Sequence, residues 1–530
     1  MASGLVGGSG GGNMAGTSGR AVRAAALLVG FYLLGFGTLA LLVAVDVVSA
    51  RLGMSGSVYA RILVGTAVLA LPILRGIFFT RGNRMRKPPG VAVGPAQQPV
   101  LWQRTAELAR AMGTRPPREI RITADVNAAV HENSRLLGLL PGKRRMFIGA
   151  PLLIGLSPAQ LDAVLAHELG HYSNQDTRLA GLVHRGRASM TNTLRLYAKT
   201  RGTGGFMFGI YKSYAENYLR TTQAISREQE HAADLAAARI AGRDNTASAL
   251  RQIPALDAGF GFYLTHYAAV GRTYGLLPTA DEYLGGFRHL LADPRRSAEL
   301  DAIRSELPVG KPSPYDSHPP MAERVAVIEA LPEDGRGRDS GSAVQLVHQP
   351  APLFAAVARA DLEPEQAREQ QLDWAALMHA AGRARAFAAA GPLLGATAAL
   401  SGGNASLPLL LDLVDQGRLD EVAAMLSEPK RAKGTSGLLR VQHLRTEFTH
   451  RLRALVQVTL ADAGCGGWPL SWSRDSVFEL RAGLLPATAT DITGTTTSAQ
   501  PLDAALDAVV ALRPSTEHLR QLMYQLTYRQ

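Results

Sequence analysis

Two histidines that could hold a metal ion lie four residues apart in the stretch LSPAQLDAVLAHELGHYSNQD, residues 156–176. Residues at this spacing project from the same face of an α-helix, so His167 and His171 can place two imidazole nitrogens on one Zn²⁺ ion. Glu168, beside the first histidine, would contact a zinc-bound water as a general base. The pattern therefore predicts a metal site at which water is activated.

A catalytic zinc ion usually has a third protein ligand and an open position for water. Glu230 is the main candidate, because Asp234 follows one helical turn later and could accept the outer N–H of a ligating histidine. Glu228 and His231 are alternative ligands, although neither is followed by a carboxylate four residues later. Cys465 is the only cysteine, which excludes a cysteine-based zinc cage. We expect one Zn²⁺ ion per chain, held by histidine and carboxylate.

A helix must carry the histidine pair, and a capping box marks its start. Ser157 stands at the predicted N-cap, with Pro158 first in the helix and Gln160 third. Residues 158–173 then place a stripe of leucine and valine beside the histidines, which predicts that the pair lies at the border between core and cleft. A second predicted helix, residues 226–242, carries the candidates for the third ligand.

Two β-strands are predicted ahead of this helix. Ile120 and Ile122 alternate with charged residues, as in a half-buried strand, and the run KRRMFIGAPLLIGL contains a second, apolar strand. We expect an edge strand near Arg145–Pro151, where main-chain pairing at Phe147 and Ile148 would bind an extended peptide substrate.

Two apolar segments near the N-terminus predict a transmembrane hairpin. Residues 24–45 carry no charge over 22 residues, which at 1.5 Å per residue matches a bilayer core of about 30 Å. A cleaved signal peptide is the competing interpretation, but the apolar core of such peptides is only about 7 to 15 residues long. Residues 58–79 have Arg61 and Arg75 towards their ends, where basic side chains can reach the membrane interface.

The charge distribution predicts the orientation of this hairpin. The chain has a net charge of +12, and basic residues flank the hairpin at residues 20–23 and 81–87. By the positive-inside rule, both flanks and everything after about residue 82 face the cytoplasm. We expect a multi-pass protein of the cell (inner or plasma) membrane with a cytoplasmic catalytic domain and the lipid bilayer as a partner. A nucleic-acid partner is not expected, because the other basic residues are dispersed rather than arranged in a stripe with aromatic residues.

Composition divides the chain into four regions. Residues 1–22 form a Gly/Ser-rich tail that we expect to be flexible, and residues 23–81 form the hairpin. Residues 82–332 form a soluble domain of the α+β class. A charged, Gly/Ser-rich linker starts residues 333–530, whose helical periodicity predicts a mainly α-helical C-terminal domain.

Four separated motifs resemble those of peptidase family M48, the membrane-associated zinc metallopeptidases that include the HtpX heat-shock proteases and the CAAX prenyl proteases. They are DVNAAV at residues 125–130, HELGHYSNQD at 167–176, SREQEHAAD at 226–234 and DSHPPMAER at 316–324, in the order found in that family. The resemblance covers roughly residues 24–332 and is specific because it combines several motifs. It implies a mainly helical, zincin-like (gluzincin) metallopeptidase domain with a small sheet.

The resemblance also implies a role for each residue of the HELGH and SREQEHAAD motifs. His167, His171 and Glu230 are implied as the zinc ligands. Glu168 is implied as the general base. Asp234 is implied as the hydrogen-bond partner of a ligand.

The other two motifs contribute residues beside the metal. Asn127 and Ala128 are implied to lie on a strand near the active site, and His318 near the substrate or the oxyanion. HtpX-type members usually carry further membrane segments between the two ligand helices, whereas residues 204–219 are too short and too polar to span. We expect this segment to lie against the bilayer or to fill the core. The seven-span chamber of the prenyl proteases is absent, so prenylated substrates are not supported.

The sequence thus predicts a membrane-anchored zinc metalloendopeptidase that acts on polypeptide substrates, with membrane protein quality control as a family-level expectation. The alternative is a catalytically silent membrane adaptor that keeps the zinc fold and acts through its C-terminal helical domain. Glu168 argues against the adaptor, because a purely structural role could be filled equally well by glutamine. The sequence carries no signal for the oligomeric state.

Overall fold

The computed structural model of the protein describes residues 11–77, 88–132, 142–172, 177–199, 205–307, 319–337, 339–363, 365–426, 437–482, 484, 500–511 and 513–528. Most of these residues are helical. The chain divides into two compact units, the first comprising Met1–Phe260 with Ser297–Asp361 and the second Gly261–Arg296 with Leu362–Gln530. The boundary predicted at residue 333 therefore falls inside the first unit.

Two apolar helices begin the first unit, α1 (Gly11–Arg51) and α2 (Gly56–Ile77). By length and composition their segments Val22–Arg51 and Gly56–Arg75 could cross a membrane. Two apolar helices are thus confirmed, while their crossing of a bilayer stays a prediction. Helix α1 starts inside the segment predicted to be a flexible tail, because helix formation extends at little cost from a long apolar segment that is already helical.

A four-stranded sheet lies in the first unit, with its strands in the order β1-β2-β4-β3. The strands are β1 (Val91–Val93), β2 (Glu119–Thr123), β3 (Ala128–Glu132) and β4 (Arg144–Gly149). Strand β4 pairs in parallel with β2 and antiparallel with β3, so β4 is a central strand and β3 lies at the edge. The prediction of an edge strand at Phe147 and Ile148 is therefore wrong. Their continuous apolar run fits a strand that is buried between neighbours.

The remaining helices are, in chain order, α3 (Pro99–Ala111), α4 (Ala150–Gly155), α5 (Pro158–Gly170), α6 (Thr177–Lys199), α7 (Gly205–Ala241), α8 (Arg243–Tyr263), α9 (Ala280–Tyr283), α10 (Gly285–Ala292), α11 (Pro294–Ser305), α12 (Met321–Glu329), α13 (Pro350–Asp361), α14 (Trp374–Ser401), α15 (Leu407–Asp415), α16 (Leu419–Met425), α17 (Gly437–Asp462), α18 (Gln500–Val509) and α19 (Glu517–Tyr528). Four short strands are also present: β5 (Leu276–Pro278), β6 (Gln370–Leu372), β7 (Gly466–Gly467) and β8 (Glu479–Leu480).

Helices α6 and α7 pack against the apolar helices α1 and α2. Their shared surface is a cluster of buried side chains whose largest members are Phe31, Tyr197, Tyr211 and Tyr218. The Tyr197 hydroxyl donates a hydrogen bond of 2.8 Å to the carbonyl of Leu69 in α2. The segment 204–219, expected either to lie on the bilayer or to fill a core, thus contributes Tyr211 and Tyr218 to this core.

The predicted linker at residues 333–342 is held against the first unit rather than separating two domains. Asp339 Oδ2 accepts a hydrogen bond of 3.0 Å from the backbone N–H of Ala159 at the start of α5. Asp334 Oδ2 accepts one of 3.0 Å from the backbone N–H of Arg243 at the start of α8. Because helix starts leave backbone N–H groups without helical partners, these carboxylates stabilise both helices.

The second unit is mainly helical. Helices α14 and α17 pack against each other and supply much of an apolar core that also includes α15, α18 and α19. An aromatic cluster lies in the same unit, with the rings of Tyr267 and Trp472 stacked at 4.7 Å between centroids. The single cysteine, Cys465, is fully buried.

Candidate metal centre

Helix α5 is fixed at its start and along one face. Ser157 Oγ accepts from the backbone N–H of Gln160 at 3.2 Å, and Gln160 Oε1 accepts from that of Ser157 at 2.9 Å, which confirms the predicted capping box. The buried face carries Leu161, Leu165 and Leu169. The capping box fixes where α5 begins, and the buried leucines fix which of its faces is turned to the core. Together they fix the position of the histidine pair.

A glycine brings α5 close to α7. A Cβ atom added at Gly170, within the HELGH motif, would lie 3.0 Å from Met112 Cε and 3.3 Å from the Cα and Cβ atoms of Ala233. Few side chains tolerate such contacts, so glycine permits the close approach of the two helices. This approach brings Glu230, on α7, to the histidines.

Three side chains form the candidate metal site: His167, His171 and Glu230. Their ligand atoms all lie within 4.8 Å of one another. The Nε2 atoms of His167 and His171 are 3.5 Å and 3.7 Å from the two carboxylate oxygens of Glu230. Two ligand atoms on one tetrahedral zinc ion lie about 3.3 Å apart, so these distances fit a zinc ion between them. Two imidazoles and one carboxylate are also a donor set of catalytic zinc sites.

The alternative ligands lie elsewhere. Glu228 is exposed on α7, and His231 Nε2 is 3.4 Å from a carboxylate oxygen of Glu323. Among the residues that the structure describes, the group that could hold a metal ion includes Glu230 but neither Glu228 nor His231.

Two buried residues orient His167. Asp234 Oδ1 lies 2.9 Å from His167 Nδ1, as expected for a carboxylate that accepts the outer N–H of a ligand. Arg324, on α12, donates to both oxygens of Asp234, through Nε at 2.8 Å and Nη2 at 2.7 Å. With its Nδ1 proton held by Asp234, His167 presents Nε2 to the space shared with Glu230.

The charges of the site stabilise one another. Burial lowers the pKa of His167, but hydrogen bonds with Asp234 and Glu230 outweigh burial and raise that pKa to about 9. Burial raises the pKa of Asp234, but Arg324 and His167 hold it below its usual range. Asp234 therefore remains ionised at neutral pH and can polarise the imidazole.

A cavity of about 220 Å³ opens beside the metal site. His167 and the half-buried Glu168 line it, and so do Asn127 and Ala128. The predicted residues Phe147 and Ile148 instead lie in central strand β4, with side chains 7% and 0% exposed. His318, the remaining predicted site residue, lies outside the described residues.

Strand β3 lies at the edge of the sheet, so one side of its main chain is not paired with another of the described strands. Gly149 N–H donates to the Asn127 carbonyl at 2.8 Å, so the odd-numbered carbonyls of this segment point towards β4. The Val130 carbonyl points the other way and accepts a 2.8 Å hydrogen bond from the Tyr172 hydroxyl. The main-chain N–H and C=O groups of Ala128 face this outer side as well, because alternate residues of a strand direct these groups to the same side and Ala128 is two residues from Val130.

Sequence reasoning missed Arg324, Tyr172 and the wall of the cavity. Arg324 ends the DSHPPMAER motif, and the resemblance implies no role for this arginine. An arginine next to the apolar run VAVIEAL was the available signal. For Tyr172 and the cavity wall no local signal exists, because their contacts join distant parts of the chain.

Comparison with known proteins agrees with this geometry. Residues 95–331 match the model of peptidase family M48. A protein named Protease HtpX homolog, from Archaeoglobus fulgidus, is 24% identical over 242 residues, which cover 42% of this chain and 65% of that relative. Protease HtpX homolog 2 from Methanosarcina acetivorans is 32% identical over 141 residues, which cover 23% of this chain and 46% of that relative. The comparison with solved structures gave no significant match.

The matched region contains both ligand helices, the edge strand β3 and Arg324. The matches span 65% and 46% of the length of these two relatives, less than two thirds of either. The similarity of the chain to peptidase family M48 thus lies in residues 95–331.

Proposed function

We propose that this protein is a membrane-anchored zinc metalloendopeptidase that hydrolyses peptide bonds in polypeptide substrates. The observation that carries the proposal is the cluster of His167, His171 and Glu230 in a segment that matches peptidase family M48. The buried pair of Asp234 and Arg324 behind His167 adds support, because a structural histidine pair needs no such orientation.

His167, His171 and Glu230 would hold the zinc ion, one per chain. When bound, zinc supplies Lewis-acid polarisation of the scissile carbonyl and makes a water molecule acidic enough to react near neutral pH. Asp234 keeps His167 in the tautomer that leaves Nε2 available, and Arg324 keeps Asp234 ionised and in place.

Glu168 would act as the general base and then as the general acid. Its carboxylate accepts a proton from the attacking water and later gives it to the leaving amine. The position of Glu168 supports this role, since it is adjacent to His167 and lines the cavity beside the metal site.

The substrate would bind in an extended conformation along strand β3. The outward-facing main chain at Ala128 supports pairing there, because proteases commonly hold peptides by adding them to a sheet edge. This assignment moves the proposed pairing from β4 to β3.

The proposal includes the location of the enzyme. Helices α1 and α2 would anchor it in the cell membrane, and the basic flanks would keep the catalytic domain in the cytoplasm. Membrane proteins that fail quality control are the substrates that such a location favours.

The test compares the full-length native protein with Glu168→Gln in detergent, both supplied with zinc, on an unfolded protein substrate. We expect the variant to keep its zinc and to lose on the order of 10² to 10⁴ in cleavage rate. Equal rates would contradict the role of Glu168. If neither protein cleaves although both carry zinc, the adaptor becomes the better account.

A further inference from the structure

The cavity beside Glu168 is larger than water molecules require. Its volume is about 220 Å³. An apolar cavity of about 150 Å³ is enough to bind benzene, so this one has room for an aromatic side chain. The cavity is also open to the site, since His167 and Glu168 belong to its lining.

Small side chains create this space. Ala163 on α5, Ala237 on α7 and Ala249 on α8 line the cavity and are 2%, 0% and 2% exposed. Three helices thus meet with methyl groups where larger side chains would close the gap. The cavity is deep, because these alanines lie in the protein interior.

The other walls are mainly apolar. Leu152, Val164, Leu250 and Ile253 line the cavity together with Met321. Three charged residues also line it: Glu168, which belongs to the proposed reaction site, and Asp234 and Arg324, which form a buried pair with each other. A charged guest would lose its hydration against the apolar walls, whereas an apolar guest would bury its surface favourably.

One polar group stands out in this lining. Thr246 is 3% exposed, and its hydroxyl has no hydrogen-bond partner among the residues that the structure describes. A buried hydroxyl without a partner is costly. A guest with a polar tip would satisfy it.

We propose that this cavity is a specificity pocket for the substrate residue next to the scissile bond, that it takes a large apolar side chain, and that Thr246 makes tyrosine the best occupant. The inference rests on the proposed function. It follows from the position of the pocket, since a peptide paired with β3 at Ala128 and held beside Glu168 would direct a neighbouring side chain into it.

The test uses the zinc-loaded, full-length protein in detergent and synthetic decapeptides with a randomised central position. Cleavage sites are read by mass spectrometry. We expect bonds next to tyrosine or phenylalanine to be cut at least about tenfold faster than bonds next to alanine. Binding of fluorescent peptides containing tyrosine, phenylalanine or alanine is measured in parallel.

Two variants and a matched control identify the pocket. Ala249→Leu fills it and should reduce the preference for aromatic residues about tenfold. Ala258→Leu adds the same atoms at an exposed position of α8 and should leave the preference unchanged. Thr246→Val keeps the shape of the side chain and should reduce the ratio of tyrosine to phenylalanine cleavage about two- to tenfold.

The outcomes separate this inference from the proposed function. Cleavage without preference for large apolar residues, or a preference that Ala249→Leu leaves intact in a protein with native zinc content, would overturn the pocket and leave the peptidase standing. Absence of all cleavage would overturn the peptidase instead. In that case equal binding of the three fluorescent peptides would overturn the pocket too, and tighter binding of the tyrosine peptide would support it.

Discussion

At the scale of single residues, the candidate site depends on a line of three buried side chains. His167, Asp234 and Arg324 are 7%, 1% and 6% exposed, and each is hydrogen-bonded to the next. Removing the central carboxylate would leave the imidazole without its orienting acceptor and the guanidinium without its counterion.

Asp234→Asn is therefore expected to lower the zinc affinity about 10- to 100-fold. The amide cannot supply the negative charge that orients His167. The measurement is competition for zinc with a chelator of known affinity, with the melting temperature as a check on folding. Asp257→Asn, an exposed change on α8, is the control. An affinity equal to that of the native chain would count against the orienting role.

Glu119 provides a pH-dependent contribution far from the metal. Burial raises its pKa, but hydrogen bonds from Lys143, Arg121 and Arg145 outweigh burial and lower the pKa to about 2. The three donors lie 2.6, 2.9 and 3.0 Å from its carboxylate oxygens. A folded-state pKa below the unfolded value stabilises the protein above about pH 4.5, and this contribution is lost as the pH falls towards 2.

Glu119→Gln should consequently reduce the free energy of unfolding at pH 7 by about 1 kcal/mol, since the ion pairs are partly open to solvent. The variant should lose less stability than the native chain between pH 5 and pH 3. Melting temperatures of the detergent-purified proteins across this range check both statements. Parallel curves for the two proteins would refute the assignment of acid sensitivity to Glu119.

Some residues of the site can be predicted from the sequence and others cannot. The pairing of His167 with His171 is a local, one-turn relationship, and so is that of Glu230 with Asp234, which makes both visible as spacing. Arg324 lies 90 residues from Asp234 in the chain, and no local pattern connects them. Its role emerges only from the tertiary packing of α12 on α7.

At the scale of elements, the approach of α5 to α7 sets the distance between the histidines and Glu230. Gly170 lies at the contact, where an added Cβ would crowd Met112 and Ala233. A substitution at Gly170 can therefore test whether metal binding depends on the spacing between α5 and α7 as well as on the identity of the ligands.

Gly170→Val is expected to push the helices apart, to cost about 1–3 kcal/mol of stability through overpacking, and to reduce the zinc content of the purified protein. Gly209→Val is the matched control, because a Cβ at that position of α7 meets nothing within 4 Å. Zinc content and melting temperature are measured for both. Full zinc retention in Gly170→Val would show that the site tolerates a wider helix spacing.

Elements also differ in predictability. The start of α5 follows from its capping box, a local hydrogen-bond pattern that the sequence carries openly. The order of the sheet does not, because β4 inserts between β2 and β3 and leaves β3 in the edge position that sequence reasoning gave to Phe147 and Ile148. Pairing between strands depends on topology, and an apolar run alone identifies a buried strand without naming its neighbours.

At the scale of the whole molecule, the two units do not follow the predicted domain boundaries. Residues 333–342 read as a linker because they are charged and rich in glycine and serine, yet Asp334 and Asp339 bind helix starts of the first unit. Residues 261–296 belong to the second unit although the sequence around them gives no composition shift. A charged, Gly/Ser-rich composition predicts that a segment is exposed to solvent, but it does not predict which helix start a carboxylate will bind.

Membrane orientation is testable because Cys465, the single cysteine, is fully buried and contributes little background labelling. Ser55→Cys lies in the exposed turn before α2, and Arg110→Cys is exposed on α3. With a membrane-impermeant maleimide on intact cells, we expect labelling at residue 55 and, at residue 110, labelling only after lysis. The reverse pattern would place the metal centre outside the cytoplasm.

The most direct test of the metal centre is the zinc content of three purified, full-length proteins measured by elemental analysis. The native chain and Glu228→Ala, an exposed change on α7, should each carry about one zinc ion per chain, and Glu230→Ala should carry much less. A folded native chain that binds no zinc when zinc is supplied, or equal zinc in all three proteins, would contradict the His167, His171 and Glu230 site.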